Sequence, residues 1–221
     1  MGALIIAVDG PAAAGKGTLS RRLANEYKLA HLDTGALYRA TARDVLAAGI
    51  DPADGAAAAV VAAKLDPATL ADPALRSEAV GRVASIVSAH PAVRSALLEY
   101  QRNFAYHPPE GTEGAVLDGR DIGTVVCPQA TVKLFVTASL EARSSRRLRE
   151  LEAAGAPADA AAVLADMQAR DERDSSRSAS PLKPASDAVV LDTSGLDADE
   201  AFGAAVSIVR ARIRSFTGSQ A

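Results

Sequence analysis

The segment that most constrains this chain is Gly10-Pro11-Ala12-Ala13-Ala14-Gly15-Lys16-Gly17-Thr18, set between an apolar run and a helical stretch. Residues 4–8 (LIIAV) are short, continuous and apolar, as a strand buried on both faces requires. Residues 18–27 have helical composition. A G-x-x-x-x-G-K loop between strand and helix is a phosphate-binding loop. Gly10 and Gly15 permit backbone conformations closed to other residues, so successive N–H groups can point into one concavity. The helix N-terminus adds positive dipole there. Lys16 supplies a charge that reaches β- and γ-phosphates, and a lysine amid glycines at a buried strand end serves no structural need. The residue after Lys16 is Gly17, so Thr18 is the nearest hydroxyl for a Mg²⁺ ion.

The remaining elements predict one α/β domain. Short apolar runs at residues 30–32, 115–117, 131–137 and 188–191 alternate with helical stretches at 36–48, 91–106, 139–154, 159–173 and 197–214. That alternation means βαβ units: five parallel strands, helices on both faces and ligands at the carboxyl ends of the strands. Between residues 50 and 90, Asp-Pro pairs at 51–52, 66–67 and 72–73 punctuate Ala-rich stretches. They predict a small helical insertion. Gly155-Ala156-Pro157 breaks the Arg-rich helix, and residues 215–221 read as a frayed tail. A single cysteine, Cys127, excludes a disulfide framework, and His31, His90 and His107 are too scattered for a His-built metal site. No apolar run approaches membrane-spanning length, and the N-terminus lacks the basic region of a signal peptide, so a cytoplasmic location is expected. A net charge of −3 argues against a duplex nucleic-acid binder.

Two further clusters carry charge. Asp118-Gly119-Arg120-Asp121 follows the third strand. Asp118 is placed like the acid that holds Mg²⁺ or its water in P-loop enzymes, and Arg120 can pair with a substrate phosphate. Asp121 only accepts hydrogen bonds, so it suits an amino group such as N4 of cytosine and would repel O4 of uracil. The plain alternative is a salt-bridged structural turn. Of the 24 basic residues only Lys16, Lys28, Lys64, Lys133 and Lys183 are lysines. The arginine excess follows either from a GC-rich coding sequence or from phosphate clamping by forked guanidinium groups. Arg143, Arg146, Arg147 and Arg149 crowd one helix; Arg170, Arg173, Asp174 and Arg177 share a face of the next. They are either solvated ion-paired faces or parts of a closing lid over residues 148–169 that brings positive charge and excludes water.

Taken together, IAVDGPAAAGKGT, HLDTGALYRA, VLDGRDIGTVVCP and RDERDSSRSASPLKPASDAVVLDTSG resemble the bacterial cytidylate kinases over nearly the whole chain. The resemblance implies transfer of the γ-phosphoryl of ATP to CMP or dCMP with Mg²⁺, in a single kinase domain over residues 1–221. Its core would be residues 1–49, 91–147 and 170–221, its acceptor-binding insertion about 50–90 and its lid about 148–169. Thr34 and Arg39 match the family's acceptor contacts, and Ser85 and Arg94 match positions that read cytosine. Arg120 and Asp121 match the turn that holds the α-phosphate side and the base. Arg170 matches a phosphate-binding arginine, and Asp174 and Arg177 match residues near the pentose. The catalytic set is then Lys16, Asp118, Arg120, Arg170 and Arg177, with Thr18 and, through water, Asp118 toward Mg²⁺. The donor base is expected against Arg146 and residues 180–183. The insertion is longer and carries strands in many relatives; here it is short. A kinase for UMP or another small acceptor, and a nucleotide-hydrolysing switch, are the rival functions. A monomer is expected, with CMP, dCMP and ATP as partners and neither nucleic acid nor membrane.

Overall fold

The computed structural model describes residues 3–153, 155, 158–177 and 179–218. Five parallel strands form one sheet in the order β2-β3-β1-β4-β5: β1 Leu4–Asp9, β2 Ala30–Asp33, β3 Gly114–Gly119, β4 Val132–Thr137 and β5 Val189–Asp192. Each strand lies where the apolar runs predict it, within one or two residues. The phosphate-loop strand β1 is central, so it is covered on both faces and flanked on both edges. Alternate residues of β1 serve opposite cores. Ile5 and Ala7 pack with Leu37 and Val45 of α2 (Thr34–Ala47), Ala84 of α4 (Glu78–Val87) and Leu97 of α5 (Pro91–Tyr106). Ile6 and Val8 pack with Leu19 and Leu23 of α1 (Lys16–Tyr27) and Val209 of α8 (Ala198–Gly218).

The insertion is helical, as expected. It holds α3 (Gly55–Ala62), two single 3₁₀ turns (Pro67–Ala71 and Pro73–Arg76) and α4. Asp54, Asp66 and Asp72 each cap the turn that follows by accepting backbone N–H bonds. Capping also sets the boundaries that composition misplaces. Asp33 Oδ1 accepts from Ala36 N at 3.2 Å, so α2 starts at Thr34 rather than residue 36. The last helix runs through Gly218 instead of fraying at 215; residues 219–221 lie outside the described residues. Helices α6 (Leu140–Ala153) and α7 (Ala160–Ser176) flank the expected break, where Gly155 adopts a φ of 68° and Ala156 and Pro157 lie outside the described residues.

Parallel register levels the carboxyl ends. Asp9 lies opposite Gly119, and Asp33 opposite Asp118. The phosphate loop, the start of α2 after Asp33 and the Asp118–Asp121 turn therefore open on one end of the sheet. No helix among the described residues is long and apolar enough to cross a membrane.

Candidate active site

The loop after β1 turns where only glycine fits. A Cβ on Gly10 would sit 1.9 Å from the Val136 carbonyl oxygen of β4. Gly15, with φ 87°, caps α1, which has no side-chain cap and no acidic residue in its first turn. Three loop carbonyls are held by side chains. Lys16 Nζ donates to Pro11 O at 2.6 Å, Arg143 Nη1 to Ala12 O at 3.4 Å and Thr193 Oγ1 to Ala14 O at 3.2 Å. These ties fix the loop backbone between β1 and the N-terminus of α1, where unpaired N–H groups suit an anion. Thr18 is exposed on the first turn of α1. Burial, then Arg120, pushes the Lys16 ammonium down to about 7, against the pull of Asp118 and Asp9. A buried cation in that state calls for an anion.

Asp9 joins the loop strand to the turn after β3. Its two oxygens accept from Ile122 N and Gly123 N, each at 2.7 Å. Desolvation still raises this carboxyl to about 6, the two N–H bonds holding it back. The clamp orients Arg120 and Asp121, which precede a single π turn (Ile122–Val126). The charged groups there are already paired with one another. Arg94 Nη2 meets Asp121 Oδ2 at 2.5 Å, with Arg94 lying 5.3 Å from the centroid of the Tyr38 ring. Arg120 Nε donates to Asp174 Oδ2 at 2.8 Å, and Arg177 Nη2 donates to Asp174 Oδ1. His31 Nε2 lies 2.7 Å from Asp118 Oδ2, and Thr34 Oγ1 donates to Asp118 O at 2.7 Å. A cavity of about 150 Å³ opens between Tyr38, Arg94, Gln101 and Asp121.

Pairing leaves donors over. Arg94 Nε, Arg170 Nε and Arg177 Nε are buried without an acceptor. Burial, then Arg120, brings Arg170 down to about 9, so it remains charged at neutral pH. Arg39 donates to Leu75 O at 3.1 Å and is lowered first by burial, then by Arg147, Arg120 and Arg76, with Asp33 opposing. The Arg120 charge thus lowers Lys16, Arg39 and Arg170 alike, the electrostatic signature of a polyanion site.

Most residues expected in the site gather here: the loop with Lys16 and Thr18, then Thr34, Arg39, Ser85, Arg94, Asp118, Arg120, Asp121, Arg170, Asp174 and Arg177. Arg146 sits beside the same loop, donating to Thr193 Oγ1 at 3.1 Å, Thr193 O at 2.5 Å and Leu196 O at 3.4 Å, while Thr193 Oγ1 donates to Ala14 O. Asp9 and His31 belong to the constellation and were missed. A carboxylate closing an otherwise apolar strand beside a phosphate loop was a usable signal for Asp9. His31 left none, because its partner lies 87 residues away.

A phosphate cradle and a ring of guanidinium groups over the carboxyl ends of one parallel sheet define a P-loop nucleoside monophosphate kinase. Fold likeness agrees. An uncharacterized protein from Eubacterium ventriosum aligns with TM-score 0.53 at 13% identity, covering 94% of this chain and 98% of that chain. A sugar kinase from Janibacter sp. aligns with TM-score 0.50 at 13% identity, covering 94% and 95%. In sequence, the cytidylate kinase family model matches residues 6–211. The chain is 59% identical over 208 residues to a cytidylate kinase of Rhodopseudomonas palustris, covering 94% of this chain and 96% of that one. It is 61% identical over 207 residues to one of Granulibacter bethesdensis, covering 94% and 97%. The chain belongs to the cytidylate kinase family, the phosphotransferases that phosphorylate CMP or dCMP with ATP.

Proposed function

We propose that this chain moves the γ-phosphoryl of ATP directly to CMP or dCMP, releasing ADP and CDP or dCDP, with the residues gathered over β1 and β3. The observation that carries this reading is the trio of buried, unpartnered guanidinium nitrogens on Arg94, Arg170 and Arg177. Buried donors without acceptors are rare in folded proteins and suit an oxygen-rich ligand. The loop from Gly10 to Thr18 holds the donor phosphates, and Arg146 with residues 180–183 flanks the donor base. Thr34, Arg39, Ser85, Arg94, Arg120, Asp121, Asp174 and Arg177 hold the acceptor nucleotide. Residues 50–90 act as the acceptor-binding insertion and 148–169 as the lid, on a monomeric, cytoplasmic enzyme with no nucleic-acid or membrane partner.

Among the described residues, no group of three or more His, Cys, Asp or Glu side chains could hold a metal ion. A hydroxyl and a carboxylate suit a Mg²⁺ ion that arrives on nucleotide phosphates and keeps most of its waters. Thr18 and, through water, Asp118 would hold it. Bound there, the ion would neutralise charge on the β- and γ-phosphate oxygens.

An acceptor phosphate oxygen, already ionised near neutral pH, attacks the γ-phosphorus. The new P–O bond forms as the bond to the β–γ bridging oxygen breaks, and that electron pair leaves with ADP. No side chain need accept a proton. Lys16, Arg120 and Arg170 supply charge where the transferring oxygens gather it, and the paired carboxylates fix those cations in place. Base choice falls to Asp121: Arg94 occupies its Oδ2, leaving Oδ1 for the exocyclic amine of cytosine.

Release of ADP in the presence of CMP, dCMP, UMP, AMP or no acceptor tests the reading. CMP and dCMP should drive turnover; equal rates with UMP, or ADP release without acceptor, would instead support the rival functions. In the same assay, Asp121→Asn should lower the CMP:UMP ratio of kcat/KM by at least about 10-fold, since the amide presents a donor as readily as an acceptor. An unchanged ratio would remove Asp121 from base reading.

A further inference from the structure

Two side chains at the end of α7 reach across to α4. Arg173 Nε donates to Ser85 Oγ at 3.2 Å, and Arg177 Nη2 donates to Ser88 Oγ at 3.0 Å. Ser85 is buried, whereas Arg173 is exposed apart from this contact. A serine hydroxyl has one proton and two lone pairs, and a guanidinium only donates. The Arg173 N–H therefore takes a lone pair of Ser85 Oγ and turns the hydroxyl proton away from itself. Among the described residues no acceptor receives that proton. One turn further on, Ser88 O accepts from Arg94 Nη1 at 3.0 Å, and Arg94 holds Asp121. Ser85, Arg94 and Asp121 thus belong to one hydrogen-bonded rim, offering donors from the first two and an acceptor from the third.

We propose that Arg173 is a positioning residue for base selection, biasing the Ser85 hydroxyl to donate toward N3 of the acceptor pyrimidine. The inference rests on the reading of Ser85 as a base contact. N3 of cytosine accepts a hydrogen bond, whereas N3 of uracil carries a hydrogen. A hydroxyl free to turn serves either base; one that accepts from a guanidinium is polarised with its proton turned away, which favours cytosine, whereas uracil N3–H must compete for the one lone pair left over. Arg173 lies one helical turn from Arg170, so one rigid helix carries both a phosphate-binding group and the group that orients the base contact.

The test compares kcat/KM for CMP and UMP in the wild type, Arg173→Met, Arg173→Lys, Ser85→Ala and the Ser85→Ala/Arg173→Met double variant, with thermal melting as the check on folding. Arg173→Met should lower the CMP:UMP ratio about fivefold, the size of one ordinary hydrogen bond. Arg173→Lys should recover most of the loss, and Arg173→Met should add nothing once Ser85 is Ala. A ratio unchanged by Arg173→Met but lowered by Ser85→Ala overturns the role of Arg173 and leaves the reading of Ser85 standing. An equal drop in the Ser85→Ala background also overturns it, because Arg173 would then act by another route. A ratio indifferent to Ser85→Ala removes the base contact itself, and the inference with it.

Discussion

Lys16→Met should lower kcat/KM for CMP phosphorylation by about 10³-fold or more, while Tm at pH 7 stays level or rises by a few degrees. The rate loss is that of a fixed cation at the transferring phosphoryl group. The stability result follows from burial. The ammonium is pushed from 10.5 down to about 7, so the folded protein binds this proton more weakly than the unfolded chain does. Between those values the unfolded state carries more protons, and wild-type stability rises with pH. At pH 7 and below the penalty is fully present, of the order of 4 kcal/mol. Met removes it and leaves the Pro11 carbonyl without its donor, which offsets part of the gain. Melting at pH 7 and pH 9 checks the sign: the wild type should gain on the variant as pH rises. Nucleotide phosphates restore the ammonium, so ATP binding at pH 8 should take up a proton. Calorimetry in two buffers of different ionisation enthalpy would read that uptake, and Lys16→Met should abolish it.

Asp174→Ala should destabilise the fold by about 3–5 kcal/mol, a fall in Tm of roughly 6–20 °C, and reduce turnover with it. This carboxylate is 1% exposed and joins Arg120 to Arg177. Its removal leaves two guanidinium groups facing each other beside Arg170 and Arg94 with no counter-charge. Burial works against the charged carboxylate, but Arg120 and Arg177 outweigh it and hold the group below its usual 3.8. The stabilisation is therefore complete above pH 3.8 and is lost as pH falls through the lower folded value. The Tm gap between wild type and Asp174→Asn should close in that acid range, which melting between pH 3 and pH 7 would follow. Inorganic phosphate should narrow the gap for Asp174→Ala at neutral pH by supplying the missing anion. A variant as stable as the wild type without phosphate would contradict the account of this cluster.

What could be read in the sequence was what is contiguous. The phosphate loop, the apolar strands and the Asp118–Asp121 turn are each complete within a few residues, so spacing alone carries their meaning. The capping aspartates were legible in part: Asp-Pro marked the turns of the insertion, whereas Asp33 capping Ala36 moved a helix start that composition placed later. The pairings were not legible. Arg94 meets Asp121 across 27 residues, Asp9 meets Ile122 across 113, and Arg173 meets Ser85 across 88. Nothing in local chemistry chooses those partners; tertiary packing does, parallel register levelling Asp9 with the turn after β3, and helix packing bringing α5 to that turn and α7 to α4. Arg146 is a further case: the resemblance sets it beside the donor base, and the structure adds that its guanidinium donates to the backbone after β5.

That anchorage has a consequence for how the chain is made. Thr193 ties the stretch after the last strand to Ala14, and β1 pairs only with strands that begin at residues 114 and 132. A ribosome has therefore made more than a hundred residues beyond the first strand before that strand has a neighbour, and reaches residue 193 before the loop is braced. Shortened products ending upstream of residue 193 should be inert toward nucleotide and exposed to proteases.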